Sequence, residues 1–189
     1  MTLLCTLGQV QTYVGTQASD TSAAAAMEQL IEGASAFIER FCNRTFAVAS
    51  YTETRNGNNR ARMMLNNSPI QSLTSVTIDG AAVPISTGPT VGGYTFDSHC
   101  VYLRPGAGFD QFDRGVQNVV IVYTAGFTSV PSDVAQACIE LIAFKLAKRN
   151  RIDKKSETLG QQQTISFDTS DMPAAVKTAL LPYQRMTVF

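Results

Sequence analysis

One histidine in 189 residues leaves no histidine-built metal centre. The chain is also short of charge: Asp, Glu, Lys and Arg make up 16% of it, against roughly 25% in ordinary soluble domains. Fifteen basic and fifteen acidic side chains cancel, so the basic excess of a phosphate-gripping protein is missing. Nucleic acid is therefore not expected as the main partner, although a local basic patch stays open. No run approaches the ~18 apolar residues that span a bilayer, and no membrane contact is expected. The first ten residues, MTLLCTLGQV, lack a basic start followed by a long apolar stretch. No secretory leader is read there, and synthesis and folding in a cytoplasm are expected. No Cys-x-x-Cys spacing occurs. Cys5, Cys42, Cys100 and Cys138 lie far apart and are expected to be buried, reduced thiols, with a disulfide or metal site as the lesser alternative.

What replaces the missing charge is Thr, Ser, Asn, Gln and Ala, an uncharged polar surface that suits contacts with other protein subunits. A hydrophobic content of 44% is enough to bury a sizeable core in one domain, plain or with an insertion. The expected fold is α+β: a small helical core of three or four helices, an inserted antiparallel β-sheet, and an extended C-terminal arm ending in a short helix. Residues 1–155 are expected to form a single domain and 156–189 the arm.

Thr6 and Gln9 have the spacing of a capping box, and Gly15 is a natural stop, which predicts a helix over 6–15. A second helix is expected over 22–43, with Leu30, Ala34, Phe37, Ile38 and Phe41 as its apolar stripe. From Tyr51 to Thr124 the period changes to two. Seven strand-sized pieces are separated by Gly, Pro and Asn, with a hairpin turn at Asp79-Gly80. A third helix is expected over 131–150, carrying Val134, Ala137, Cys138, Leu141, Ile142 and Leu146. After a polar arm, Pro173 starts a last short helix and Pro182 ends or kinks it.

The strand, glycine and helix start at NVVIVYTAGFTSVPSDV could in principle cradle a phosphate. A P-loop needs Gly-x-x-x-x-Gly-Lys-[Ser/Thr], and after Gly126 there is no second glycine and no lysine until Lys145. Pro131 also removes a helix-start N–H. The stretch reads as a corner, and no cofactor is implied. His99 and Cys100 are neighbours on a strand and point to opposite faces. Asp110 and Asp113 sit in a Gly-rich loop and read as solvated turn residues. No serine occupies a Gly-x-Ser-x-Gly elbow. No catalytic residue and no metal ligand stand out.

Two stretches keep a functional reading. Lys148, Arg149, Arg151, Lys154 and Lys155 form a basic run that either complements a helix C-terminus or faces DNA or an acidic partner. Met172, Pro173, Val176, Leu180, Leu181, Tyr183, Met186 and Phe189 form an apolar segment that either folds back on its own core or docks on another subunit.

In order and spacing, the capped first helix, LIEGASAFIERFCNRTF, LNNSPIQSLTSVTIDG and VVIVYTAGFTSVPSDVAQACIELIAFKL resemble the head–tail connector (adaptor) proteins of tailed bacteriophages, which sit under the portal ring. The likeness runs from about Thr6 to Ile152, and Asn-x-x-Phe, Asn-x-Pro-Ile and Tyr-x-Ala-Gly-Phe-x-x-x-Pro are its most recognisable points. The resemblance implies a non-enzymatic virion protein at the head–tail joint, made in the host cytoplasm. It implies a ring of copies, commonly twelve, bound to the portal protein and to the next neck or tail-completion protein, with DNA only as channel contents. It makes Pro69 and Ile70 strand-entry residues, Gly126 and Pro131 corner residues, and the C-terminal segment the portal contact. Two rivals stand beside it: a neck protein one layer further down without portal contact, and a small enzyme built on His99, Asp110 and Asp113.

Overall fold

Thr6 caps the first helix, α1 (Leu7–Val14), through both halves of a capping box. Its hydroxyl accepts the Gln9 N–H, and the Gln9 side chain accepts the Thr6 N–H at 2.8 Å. Gly15 closes the helix with φ 75°, its N–H reaching the Gln11 carbonyl. The computed structural model describes residues 2–15, 21–149, 156–159, 163–166 and 171–185. The chain divides into two compact units, Met1–Phe46 with Val130–Phe189, and Ala47–Ser129.

The first unit is helical. α2 (Thr21–Cys42) buries Met27, Ile31, Ala34, Ser35, Ile38 and Cys42. That face is rotated from the expected stripe: Leu30, Phe37 and Phe41 are only half-buried. The larger aromatic side chains sit at the border, where the Lys145 ammonium covers the Phe37 ring at 5.2 Å. α3 (Ser132–Arg149) begins with the Pro131 carbonyl accepting the Ala135 N–H at 3.0 Å. Asp133 lies in its first turn and Lys148 and Arg149 in its last, the arrangement the helix dipole favours. Its buried side chains are Val134, Ala137, Cys138, Ile139, Leu141 and Ile142. Residues 156–159 pair antiparallel with 163–166, and α4 (Ala174–Leu180) runs into a single 3₁₀ turn at Leu181–Tyr183.

The second unit holds seven strands among the described residues: β1 (Ala49–Gly57), β2 (Arg62–Met64), β3 (Ile70–Ile78), β4 (Ala81–Val83), β5 (Gly93–Phe96), β6 (Cys100–Arg104) and β7 (Gly115–Ala125). They make two antiparallel sheets where one was expected, in the orders β1-β7-β3-β4 and β2-β6-β5. β7 is long enough to pair with β1 on one side and β3 on the other, while the short strands pair among themselves. Val119, Ile121, Tyr123 and Ala125 alternate inward along β7. With Val76 and Ile78 they share one core with Met63, Tyr94, Val101 and Leu103 of the smaller sheet. The β3–β4 turn has positive φ at both Asp79 and Gly80, the two-residue turn that an Asp-Gly pair favours.

Candidate functional site

The described part of the C-terminal segment, residues 171–185, is pinned to its own unit. Val176 and Leu180 are buried. The Tyr183 hydroxyl donates to both Asp133 carboxylate oxygens at 2.9 and 2.8 Å, and its ring lies 5.8 Å from that of Phe46. Burial, helped by the Asp133 bond, pushes the Tyr183 phenol above its usual range. The Arg185 N–H donates to the Cys42 carbonyl at 2.9 Å, and the Gln184 amide donates to the Phe41 carbonyl at 3.3 Å. The segment is thus folded back with one large apolar side chain outward: Leu181, 49% exposed. Met172 and Pro173 are half-buried. Met186 and Phe189 lie outside the described residues, as do Arg151, Lys154 and Lys155. Of the basic run, Lys148 rests its ammonium 4.7 Å over the Phe144 ring, and Arg149 is exposed at the end of α3.

In the β unit two of the three most recognisable motifs meet. The backbone N–H and the side-chain amide of Asn67 both donate to the Tyr123 oxygen, at 3.1 and 3.2 Å. The Tyr123 hydroxyl in turn donates to Glu53, a carboxylate only 8% exposed. Glu53 also accepts the Asn66 N–H at 2.9 Å, and Arg55 donates to the Asn66 side chain at 3.1 Å. Burial first, then the Glu53 bond, raises the Tyr123 phenol well above its ordinary value. Two residues on, the Ser68–Pro69 bond is cis. The Pro69 carbonyl accepts the Gly126 N–H at 3.0 Å, and the Gln71 amide donates to the Gly126 carbonyl at 2.8 Å. Ile70 is the first residue of β3. Gly126 has φ 129°, and a Cβ there would lie 2.2 Å from the Ala47 carbonyl oxygen. Asn-x-Pro-Ile and Tyr-x-Ala-Gly-Phe are therefore two halves of one hydrogen-bonded lock.

The titratable candidates are scattered. His99 is exposed and Cys100 buried, on opposite faces. Asp97 organises their turn by accepting the His99 and Cys100 N–H groups at 2.7 Å and the Tyr102 hydroxyl at 2.7 Å. The His99 N–H bond, followed by the Tyr102 hydroxyl, holds the Asp97 carboxyl below the usual carboxylate range. Asp110 and Asp113 are both exposed, and Asp113 accepts from Gln111 at 3.3 Å. An open depression of about 540 Å³ is lined by Thr54, Arg55, Asn56, Asn58, Met63, Met64 and Gln117. Arg55 is its one ionisable side chain. Among the described residues no three His, Cys, Asp or Glu side chains converge as a metal site would require, and no helix is long and apolar enough to cross a membrane.

Sequence reasoning missed the Tyr123–Glu53–Asn67 network. Glu53 and Tyr123 are 70 positions apart, and the one local signal was an acidic residue at an inward position of a strand.

Comparison with known proteins agrees with this layout. The model of a family described as head completion protein matches residues 3–186. No curated protein matches the sequence. Among solved structures, a chain in the neck of an empty gene transfer agent (GTA) particle, computed with C6 symmetry, is similar with 18% identity and a TM-score of 0.58, covering 100% of this chain and 95% of that one. A chain of the native GTA virion gives 18% identity and a TM-score of 0.57, covering 97% of this chain and 90% of the other. A chain in the native GTA neck, computed with C12 symmetry, gives 15% identity and a TM-score of 0.52 over the same shares. At these identities the likeness shows a shared fold.

Proposed function

The chain belongs to the head completion protein family, and on that premise we propose that it is an adaptor at the head–tail joint of a phage or phage-like particle. The observation that carries this reading is the reach of the match: residues 3–186 take in both the helical and the β unit. The role is structural. Copies form a ring under the portal, extend the channel through which DNA passes, and offer a surface to the next neck protein. A closed ring needs two unlike faces of one chain to complement each other, and the low-charge polar surface suits such contacts.

Within this reading the portal contact is carried by Leu181 together with Met172 and Pro173, and by Met186 and Phe189 further along the chain. Val176, Leu180 and Tyr183 hold the segment in place from beneath. Lys148 and Arg149, with Arg151, Lys154 and Lys155, face the channel or an acidic partner surface.

The buried anchors decide how the proposal is tested. Deleting residues 156–189 removes Val176 and Leu180 from the core, so lost binding after deletion would report lost folding. Leu181→Asp leaves the anchors in place, and an exposed substitution of this kind changes stability by about 0.5 kcal/mol or less. Native mass spectrometry of the protein mixed with its cognate portal ring should show a fixed number of chains per portal, lost in L181D. Wild-type protein that never binds the portal would move the assignment to a lower layer of the neck. Full binding by L181D would place the contact elsewhere on the chain.

A further inference from the structure

The helical unit contains a built pair of thiols that the adaptor role does not use. The Cys5 sulfur lies 3.6 Å from that of Cys138, 133 positions away in the sequence, and both residues are buried. Ser35 on α2 completes the cluster. Its hydroxyl accepts the Leu4 N–H at 3.1 Å and stands 3.9 Å from the Cys138 sulfur. Ser35 and Glu53 are the two buried polar residues among those described, so a hydroxyl here is a specific feature of the core. It ties the segment before α1 to α2, next to the contact of Cys5 with Cys138 of α3.

We propose that Cys5 and Cys138 are a latent disulfide, closed by peroxide once the protein leaves a reducing compartment. Sulfurs in a disulfide are about 2 Å apart, so the pair must approach by roughly 1.5 Å. That movement falls on the segment leading into the Thr6 cap, while Cys138 stays within its helix. The competing thiols are badly placed. Cys42 sits against the Leu180 carbonyl at 4.0 Å, its thiol pushed up to about 11 chiefly by burial, and Cys100 lies in the β unit.

The two sulfurs are not equivalent. The thiol hydrogen of Cys5 points at Cys138, which draws the Cys138 thiol below its usual range, with Ser35 and Lys145 acting in the same sense. The Cys5 thiol is raised by the same bond. In this proposal Cys138 is the attacking sulfur, because it is the one that accepts the Cys5 thiol hydrogen, at 3.6 Å. Its sulfur bonds to one peroxide oxygen, the O–O bond breaks, and the departing hydroxide takes a proton to leave as water. The Cys5 sulfur then attacks the resulting sulfenic acid. The S–O bond breaks, and the second hydroxide leaves as water with the Cys5 proton. Two thiols and one peroxide give one disulfide and two waters, with two electrons passing from sulfur to oxygen. Because both thiols are buried, the rate follows local opening of the segment before α1. This inference stands on the sulfur geometry and does not depend on the neck assignment.

The test uses the full chain under native conditions. Dilute hydrogen peroxide is followed by alkylation of the remaining thiols and peptide mapping without reductant. The expected product is a monomer lighter by two hydrogens, carrying one Cys5–Cys138 link that dithiothreitol reverses, with Cys42 and Cys100 alkylated. Its melting temperature should rise by roughly 5–10 °C, since the link closes a long loop. Cys5→Ser, near the chain start and checked for folding by its melt, should form no link and lose the rise. Linked dimers, a link formed only in denatured protein, or Cys138 carried to sulfinic acid without a partner would each overturn the proposal.

Discussion

The helical unit is made from two stretches of chain separated by the whole of the other unit, and among its described residues the buried ones are apolar or thiols apart from Ser35. The β unit is one continuous stretch, and its centre is tied by a polar lock from Glu53 through Tyr123 to Asn67. The two therefore depend on different physics. Packing in the helical unit is spread over many side chains, so each loss is graded. The β unit adds to its apolar core a few polar bonds and several close backbone approaches at glycines, Gly57, Gly92, Gly93 and Gly126 among them, where a single atom decides.

Gly126→Ala attacks the β unit at one of these close approaches. A left-handed φ costs a non-glycine residue about 1–2 kcal/mol, and the clash with the Ala47 carbonyl adds roughly 1–3 kcal/mol. The expected loss is about 2–5 kcal/mol in a urea melt. Hydrogen exchange should show protection falling first in β1 and β7 and leaving α2 and α3 largely intact. Leu180→Ala is the counterpart in the helical unit. It removes a fully buried side chain and should cost about 2–4 kcal/mol, with protection lost in α3 and α4 before β7. If either variant lowers protection evenly in both units, the chain unfolds as one body and the contrast fails. Tyr123→Phe sharpens the contrast at the smallest cost in volume. It leaves Glu53 without its hydroxyl donor, for an expected loss of about 1–3 kcal/mol. A value near zero would mean that the lock is ornament and the β core carries the unit alone.

Much of the fold was legible locally. Thr6 with Gln9, Gly15, Asp79-Gly80, Pro131 and Pro173 each announce a turn or a helix end through interactions within a few residues, and each lies at such an end in the structure. The strand pieces of the middle third were legible from alternation. The order of motifs pointed to the family, and two of those motifs, Asn-x-Pro-Ile and Tyr-x-Ala-Gly-Phe, supply residues of the lock. The site was harder to read. Val176, Leu180 and Leu181 are equally apolar in the sequence, yet two are buried and one is exposed.

The sequence by itself determined where elements start and stop and which residue types face inward along a strand, because those choices rest on backbone propensity and short-range hydrogen bonds. Only the tertiary structure decided which face of α2 is buried, that the strands divide into two sheets, and that the C-terminal segment folds back with Leu181 outward. It also decided that Cys5 meets Cys138 and that Tyr123 meets Glu53. These outcomes depend on which distant side chains share a space, and spacing along the chain carries no record of that.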